Sequence, residues 1–286
     1  MKIIKKGIKH MKLLIISGTP KTEGITHSFV KVAEETAAEL NVGFETIRLS
    51  AMSITKCKMC GDGWGICFRE HRCIFGDKDG FNDLQKKVQE ADAYVYITPV
   101  YWGEISEELK IFVDKLRRCQ ATKQWDSRED EVSFHRDKPS IVVAAAGGGG
   151  GGIISTFADM ERAITQMSGD GWPRETAGIF DWIAVNRWNQ HYKQETLKAA
   201  ITKMVHYQIL PKFVSVKALP DYKLQIEFEG NEVRIFDMTP YLEMTKYAEL
   251  KDVERFNSCN ITGYYIEWRP LVDIGIEVLY KESVPV

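Results

Sequence analysis

Between residues 11 and about 206, short apolar runs alternate with stretches of helical periodicity, five of each. No other feature constrains the fold as much, because buried strands that alternate with amphipathic helices wind into βαβ units around a parallel sheet. The first strand is expected at Lys12 to Ser17. The first helix is expected at about Thr26 to Leu40, where Phe29, Val32, Ala33, Thr36, Ala37 and Leu40 share one face at the i, i+3, i+4 spacing. Further strands are expected near Gly43 to Leu49, Ala93 to Thr98, Ser140 to Ala146 and Glu175 to Val185. Helices are expected near Phe81 to Glu90, Ser106 to Arg118, Ile153 to Gln166 and His191 to Tyr207. The insertion Gln120 to Lys138 mixes both charge signs and reads as a solvated loop, long enough for a lid or a dimer arm.

After Leu210-Pro211 the period drops to two, over Phe213 to Val216, Lys223 to Phe228 and Glu232 to Phe236, with a hairpin turn at Glu229-Gly230-Asn231. Two domains follow: residues 11–206, and a small α+β domain at 212–286. A length of 286 residues accommodates both. With 38 Lys and Arg against 40 Asp and Glu, the formal charge of −2 lacks the basic footprint of a nucleic-acid binder. The longest apolar runs fall well short of the roughly 20 residues that span a bilayer. The basic N-terminus runs into a loop without a small-residue cleavage site, so a cytoplasmic location is expected, with Met11 a candidate start.

Three loops at the carboxyl ends of predicted strands carry chemistry. Ser17 to Ser28, SGTPKTEGITHS, opens a helix with hydroxyls and free backbone N–H groups where the dipole favours an anion. It has neither the GxxxxGK[ST] nor the GxGxxG spacing, which argues against an NTPase and a dinucleotide fingerprint. In the competing reading Thr26 merely caps the helix. Thr98 to Ser106, TPVYWGEIS, places Val100, Tyr101 and Trp102 where open α/β sheets bind ligands, and suits a flat aromatic ring; its alternative is a core or dimer contact. Gly147 to Gly152 lets the backbone approach a bound group and offer N–H donors.

A phosphate cradle, an aromatic slot and a polar edge together describe an FMN site on a flavodoxin-like, doubly wound five-stranded parallel sheet. On SGTPKTEGIT, TPVYWGEISEELKIFVDKLRR and the glycine loop, residues 11–206 resemble the flavodoxin-fold NAD(P)H-dependent FMN reductases. That group includes iron–sulfur flavoproteins and multimeric quinone reductases. The resemblance implies that Thr19, Lys21, Thr26 and His27, with the backbone of Ser17 and Ile25, surround the phosphate. It implies that Pro99, Val100, Tyr101, Trp102 and Gly103 line the isoalloxazine, and that Gly147, Gly148 and Gly149 cover its other edge. Ile25 departs from the polar residue usual there, so only its main chain carries over. The implied activity is hydride transfer from NAD(P)H through FMN to a quinone, another small acceptor or a redox protein. No protein general base is required, and the chain is expected to be a homodimer or higher homo-oligomer. An electron carrier that never meets a nicotinamide, or a non-catalytic flavin-sensing protein, are the alternatives.

Cys57, Cys60, Cys67 and Cys73 crowd into 17 residues, with two, six and five residues between them. Four thiolates hold zinc or an iron–sulfur cluster. The iron–sulfur flavoproteins carry a four-cysteine motif here with only two residues before the third cysteine. A [4Fe-4S] cluster, zinc, and free thiols or a reversible disulfide all stay open. Trp64, between Gly63 and Gly65, would form the outward bend a cluster needs. Cys119 and Cys259 read as inert, and His71, His135 and His206 as surface or packing residues. Residues 212–284, with FDMTPYLE and WRPLVDIGIEVLY, resemble a small uncharacterised bacterial domain family. Asp237, Trp268 and Asp273 are read there as structural, with docking to a partner as the functional alternative.

Overall fold

The computed structural model describes residues 11–61, 66–121, 135, 138–167 and 178–286. Trp64 with its flanking glycines, most of the charged insertion and the start of the predicted fifth strand lie outside these residues. The chain divides into two compact units between Val205 and His206.

The first unit is a five-stranded parallel sheet in the order β2-β1-β3-β4-β5. Its strands are β1 (Lys12–Ser17), β2 (Gly43–Arg48), β3 (Ala93–Pro99), β4 (Ser140–Ala145) and β5 (Ile179–Val185). Every residue of β3 and β4 is buried, as expected of strands covered on both faces. The helices are α1 (Ile25–Glu39), the single turn α2 (Cys67–Glu70), α3 (Phe81–Glu90), α4 (Glu107–Ala121), α5 (Ile153–Met167) and α6 (Gln190–Ile209). On one face Phe81, Leu84, Leu109, Phe112 and Met160 from α3, α4 and α5 pack on Leu14, Ile16, Tyr94, Tyr96 and Val142. Strand residues alternate between faces, so the intervening Leu13, Ile15, Val95 and Ile97 turn to the other side, where α1 lies against β1, β2 and β3. Gln194 of α6 donates to Ser28, and Lys198 pairs with Glu39, holding α6 beside α1.

A buried ion pair organises the segment between β2 and α3. Lys115 Nζ lies 2.7 Å from Asp79 Oδ2, with the two side chains 3% and 5% exposed. The backbone N–H and hydroxyl of Thr55 donate to the same oxygen at 2.9 and 2.7 Å, and Phe81 N–H donates to the other oxygen at 3.1 Å. Burial opposes the Asp79 charge, but these donors outweigh it and hold the carboxyl below its usual range. The ammonium also lies over the Phe81 ring, 4.6 Å from its centre. One carboxylate thus ties the start of the cysteine segment to α3 and α4.

His135 is fully buried, stacked on Tyr94 and hydrogen-bonded through Nε2 to the Tyr96 hydroxyl at 2.6 Å. Burial, with a smaller contribution from Lys138, pushes its pKa down to about 3, so a neutral ring packs the core.

The second unit holds a four-stranded antiparallel sheet in the order β12-β8-β7-β6 and a three-stranded sheet in the order β11-β10-β9. Their strands are β6 (Phe213–Leu219), β7 (Lys223–Phe228), β8 (Glu232–Asp237), β9 (Asn260–Thr262), β10 (Tyr265–Trp268), β11 (Val272–Gly275) and β12 (Val284–Pro285). The short helices α7 (Val253–Asn257) and α8 (Ile276–Glu282) complete it. Trp268 is fully buried and donates from Nε1 to Phe256 O at 2.7 Å. Asp237 accepts from the Thr239 backbone, and Asp273 accepts from Lys246 Nζ at 2.8 Å, so all three residues serve the fold.

Asp79→Ala should leave the Lys115 charge buried without its partner. The loss expected is about 3–5 kcal/mol, measured as a lower denaturant midpoint. Because the folded carboxyl titrates below its unfolded value, this stabilisation is present at neutral pH and disappears as pH falls through the lowered value.

Candidate functional site

Three loops meet where β1, β3 and β4 end, which is where crossovers leave on opposite faces and open sheets form a crevice. Gly18 N–H donates to Ile97 O at 2.8 Å, and a Cβ at Gly18 would lie 2.7 Å from Ser106 Oγ, so the first loop sits directly on the second. Val100 N–H donates to Ala145 O at 2.9 Å. A Cβ on Gly152, whose φ is +82°, would stand 2.4 Å from the Gly103 Cα, so here backbone packs on backbone. Ser155 Oγ donates to Gly103 O and closes the seam.

The first loop ends at Gly24, the N-cap of α1, in a conformation essentially reserved for glycine (φ 92°, ψ −175°). No side chain caps the helix and no acid stands in its first turn. Thr26 is inside the helix and does not cap it, so the first-turn N–H groups of Ile25, Thr26 and His27 have no side-chain acceptor. Ser17 is fully buried, with its Oγ unpartnered among the described residues. An uncapped dipole with an orphan hydroxyl nearby fits a phosphate. Thr19 is buried and accepts from Lys21 N–H, and Ser50 Oγ donates to Thr19 O. The Lys21 side chain is exposed.

His27 is held away from such a role. Arg48 Nη1 donates to its Nδ1 at 3.1 Å, and a guanidinium can only donate, so that nitrogen carries no proton. Burial first, then Arg48, lowers its pKa and keeps the ring neutral.

In the second loop Tyr101 and Glu104 exchange two backbone hydrogen bonds of 3.0 Å across a turn in which Trp102 and Gly103 have φ of 53° and 86°. Positive φ at both central positions makes this a two-residue hairpin of the primed type. For a bulky residue it is a strained conformation, of the kind that clusters at functional sites. It projects the Trp102 ring wholly into solvent, beside Tyr101 at 43% exposure, with Pro99 buried and Val100 half-buried beneath. In the third loop Gly147, Gly148 and Gly149 are exposed. A Cβ at Gly147 or Gly148 would meet nothing within 4 Å, and neither has positive φ, so nothing in the protein itself demands glycine there. Glycine at both positions leaves the backbone open to the close approach of a bound group.

One flank of this crevice is not evident from the three motifs. Arg187 N–H donates to Gly148 O, Trp188 lies against Gly149 and is 74% exposed, and Asn186 and Asn189 bond each other's backbone. The signal was Asn186-Arg187-Trp188-Asn189 directly after a strand, which has no motif of its own.

Cys57, Cys60, Cys67 and Cys73 line one small cavity with Lys56, Lys58, Lys115 and Arg118. Among the described residues, no three side chains of the His, Cys, Asp and Glu type converge on a point that a metal ion could occupy. All four thiols nonetheless border one cavity, so the donor set of a cluster or zinc ion is present without being gathered on a point. Cys119, read above as inert, joins the group from α4: its thiol is hydrogen-bonded to Cys67 and stands near Cys73, and with burial this pushes its pKa strongly up. Burial also raises Cys73. His71 is buried beside the segment and its carbonyl accepts from Gln85 Nε2, whereas His206 is exposed.

The fold and crevice define a flavodoxin-like protein, and comparison with known proteins identifies the family. Residues 11–162 match the NADPH-dependent FMN reductase family, to which the chain belongs, and residues 213–285 match a family of unknown function, DUF2442. Among curated proteins, an iron–sulfur flavoprotein of Methanocaldococcus jannaschii is 35% identical over 108 residues, 37% of this chain and 52% of that protein. One from Archaeoglobus fulgidus is 34% identical over 113 residues, 38% of this chain and 51% of that protein. The chain spans about half the length of the curated relatives it matches. Among solved structures, an FMN-dependent NADH-azoreductase from Bacillus anthracis in complex with FMN aligns with a TM-score of 0.46 at 14% identity, over 68% of this chain and 99% of that one. No helix among the described residues is long and apolar enough to cross a membrane.

In reduced, metal-free protein a thiol reagent should label Cys57 and Cys60, both half-buried, faster than the buried Cys67 and Cys119. Mass mapping of alkylated peptides over time checks the order.

Proposed function

We propose that the first unit binds FMN across the three loops and acts as an NAD(P)H-dependent oxidoreductase, passing two electrons to a quinone, another small acceptor or a redox protein. The observation that carries this reading is the convergence of an uncapped α1 N-terminus and an orphan Ser17 hydroxyl with an aromatic hairpin and an unobstructed glycine edge. Membership of the FMN reductase family supports the same cofactor.

In this reading the N–H groups of Ile25, Thr26 and His27, with the hydroxyls of Ser17, Thr19 and Thr26, hold the phosphate, and Lys21 adds charge from solvent. His27 contributes backbone only, because Arg48 occupies its ring. Pro99, Val100, Tyr101, Trp102 and Gly103 flank the ring and exclude water from it. The N–H groups of Gly147, Gly148 and Gly149 face its polar edge, where donors favour negative charge. FMN, when bound, supplies the hydride chemistry, so the protein's share is binding, orientation and electrostatics.

Two measurements test the proposal. Anaerobic mixing of flavin-loaded protein with NADH or NADPH should bleach the flavin absorbance promptly; an unreduced flavin with both nucleotides would point to an electron carrier or a sensor. Thr26→Ala should weaken FMN roughly tenfold or more, the worth of a hydrogen bond to a charged group, and leave riboflavin affinity unchanged. Equal losses for the two flavins in equilibrium titration would refute the phosphate assignment.

A further inference from the structure

Beside the aromatic hairpin lies an open groove of about 620 Å³, between the cysteine segment and the outer face of α4. That volume is in the range of small-molecule sites, about 300–1,000 Å³. Its apolar wall is Tyr101, Trp102 and Ile105 on one side and Met59 on the other. Trp102 is fully exposed, and Met59 is 57% exposed with a φ of 44°. Two large apolar side chains, each at positive φ, thus face a common space with no protein group covering them among the described residues. A flat aromatic molecule would remove both from water.

The charges of the groove give that molecule a sign. Lys56, Lys110, Arg117 and Arg118 line it against Glu104, Glu107 and Asp114. Lys56 is committed to Glu107 at 2.6 Å, and Lys110 and Arg117 share Asp114 at 3.5 and 3.2 Å. Arg118 has neither ion pair nor hydrogen bond among the described residues and is only half-exposed. Arg118 and Lys56 also line the adjoining cysteine cavity, whose wall includes Lys58 and Lys115 and no carboxylate. Lys115 there is paired with Asp79 and Lys56 with Glu107, which leaves Lys58 and Arg118 as the cations without an ion pair among the described residues; a guanidinium without a partner is the natural receptor for a planar or tetrahedral oxyanion. Glu104 belongs to the hairpin and not to α4.

We propose that this groove is the acceptor site of the reductase, that it takes a planar aromatic oxidant bearing an anionic group, and that Arg118 sets the preference for the anion. The proposal rests on the oxidoreductase reading above. For a quinone acceptor the reaction balances as quinone plus NAD(P)H plus one proton giving hydroquinone plus NAD(P)+, with both electrons arriving from the nicotinamide hydride. The acceptor ring lies against Trp102 and Tyr101 and its anionic substituent against Arg118, which selects the substrate and takes no part in electron transfer.

The test uses the full chain loaded with FMN and two probes, 1,4-naphthoquinone and its 2-sulfonate. Wild type should favour the sulfonate in kcat/KM. Arg118→Gln should cut the sulfonate-to-neutral ratio of kcat/KM about tenfold, the effect of losing one charge-assisted hydrogen bond, and Arg118→Lys should restore part of it. Equilibrium binding of the sulfonate, followed by quenching of tryptophan fluorescence, should weaken by the same factor in Arg118→Gln. Turnover with an unchanged ratio and unchanged binding would overturn the groove assignment and leave the reductase standing. Arg118-dependent binding with no turnover of either quinone would keep the groove as an anion-selective aromatic site and overturn the reductase.

Discussion

The parallel pairing of β1 with β3 is the constraint on which the rest of the site depends. The chain leaves β1 for α1 on one face and leaves β3 for α4 on the other, so the two loops touch at Gly18 and diverge beyond it at the carboxyl edge. A strand pair whose crossovers both left on one face would be roofed by adjacent helices. The hydrogen bond from Gly18 to Ile97 O fixes how far apart the loops start, and the burial of every β3 residue makes that starting point rigid. The anion end and the aromatic end of the crevice inherit their spacing from this pair of strands.

The glycines of the crevice fall into two physical kinds. Gly18, Gly103 and Gly152 are required by the protein itself, because a Cβ would strike a neighbouring loop or because the backbone lies at positive φ. Gly147 and Gly148 are required by neither condition. Rigid contacts at the back of the loops and unexplained freedom at the front are what a preformed cradle needs: the backbone is held from behind while its donors face outward.

The cysteine segment is governed by charge burial more than by sulfur. Asp79 receives four hydrogen bonds, two of them from Thr55 just before Cys57, and so anchors the segment to α3 and α4. Four cations line the thiol cavity, two of them already paired, Lys115 with Asp79 and Lys56 with Glu107. Burial opposes ionisation at Cys73, and the hydrogen bond to Cys67 followed by burial opposes it at Cys119. Lys56 and Arg118 line both this cavity and the neighbouring groove, linking two features that are separate along the chain.

The alternation of apolar runs with helical faces was enough to define the sheet, its five strands and the three loops at its working edge, because strand burial and helix amphipathicity are local patterns. The hairpin after β7 was legible for the same reason, from period-two strands around a glycine turn. The four clustered cysteines were visible as a group, but the Asp79–Lys115 pair that anchors the start of their segment joins residues 36 apart and was not. Cys119 is buried with a raised pKa, in keeping with the inert reading, but nothing along the chain relates it to Cys67; only the placement of α4 against the cysteine segment brings the two thiols together. His27 stood in the phosphate loop by position, yet tertiary structure gave its ring to Arg48 at the far end of β2. Local pattern determined which elements form and where their ends lie. The long-range contacts among those ends decided which side chains are already partnered and which remain available to a ligand.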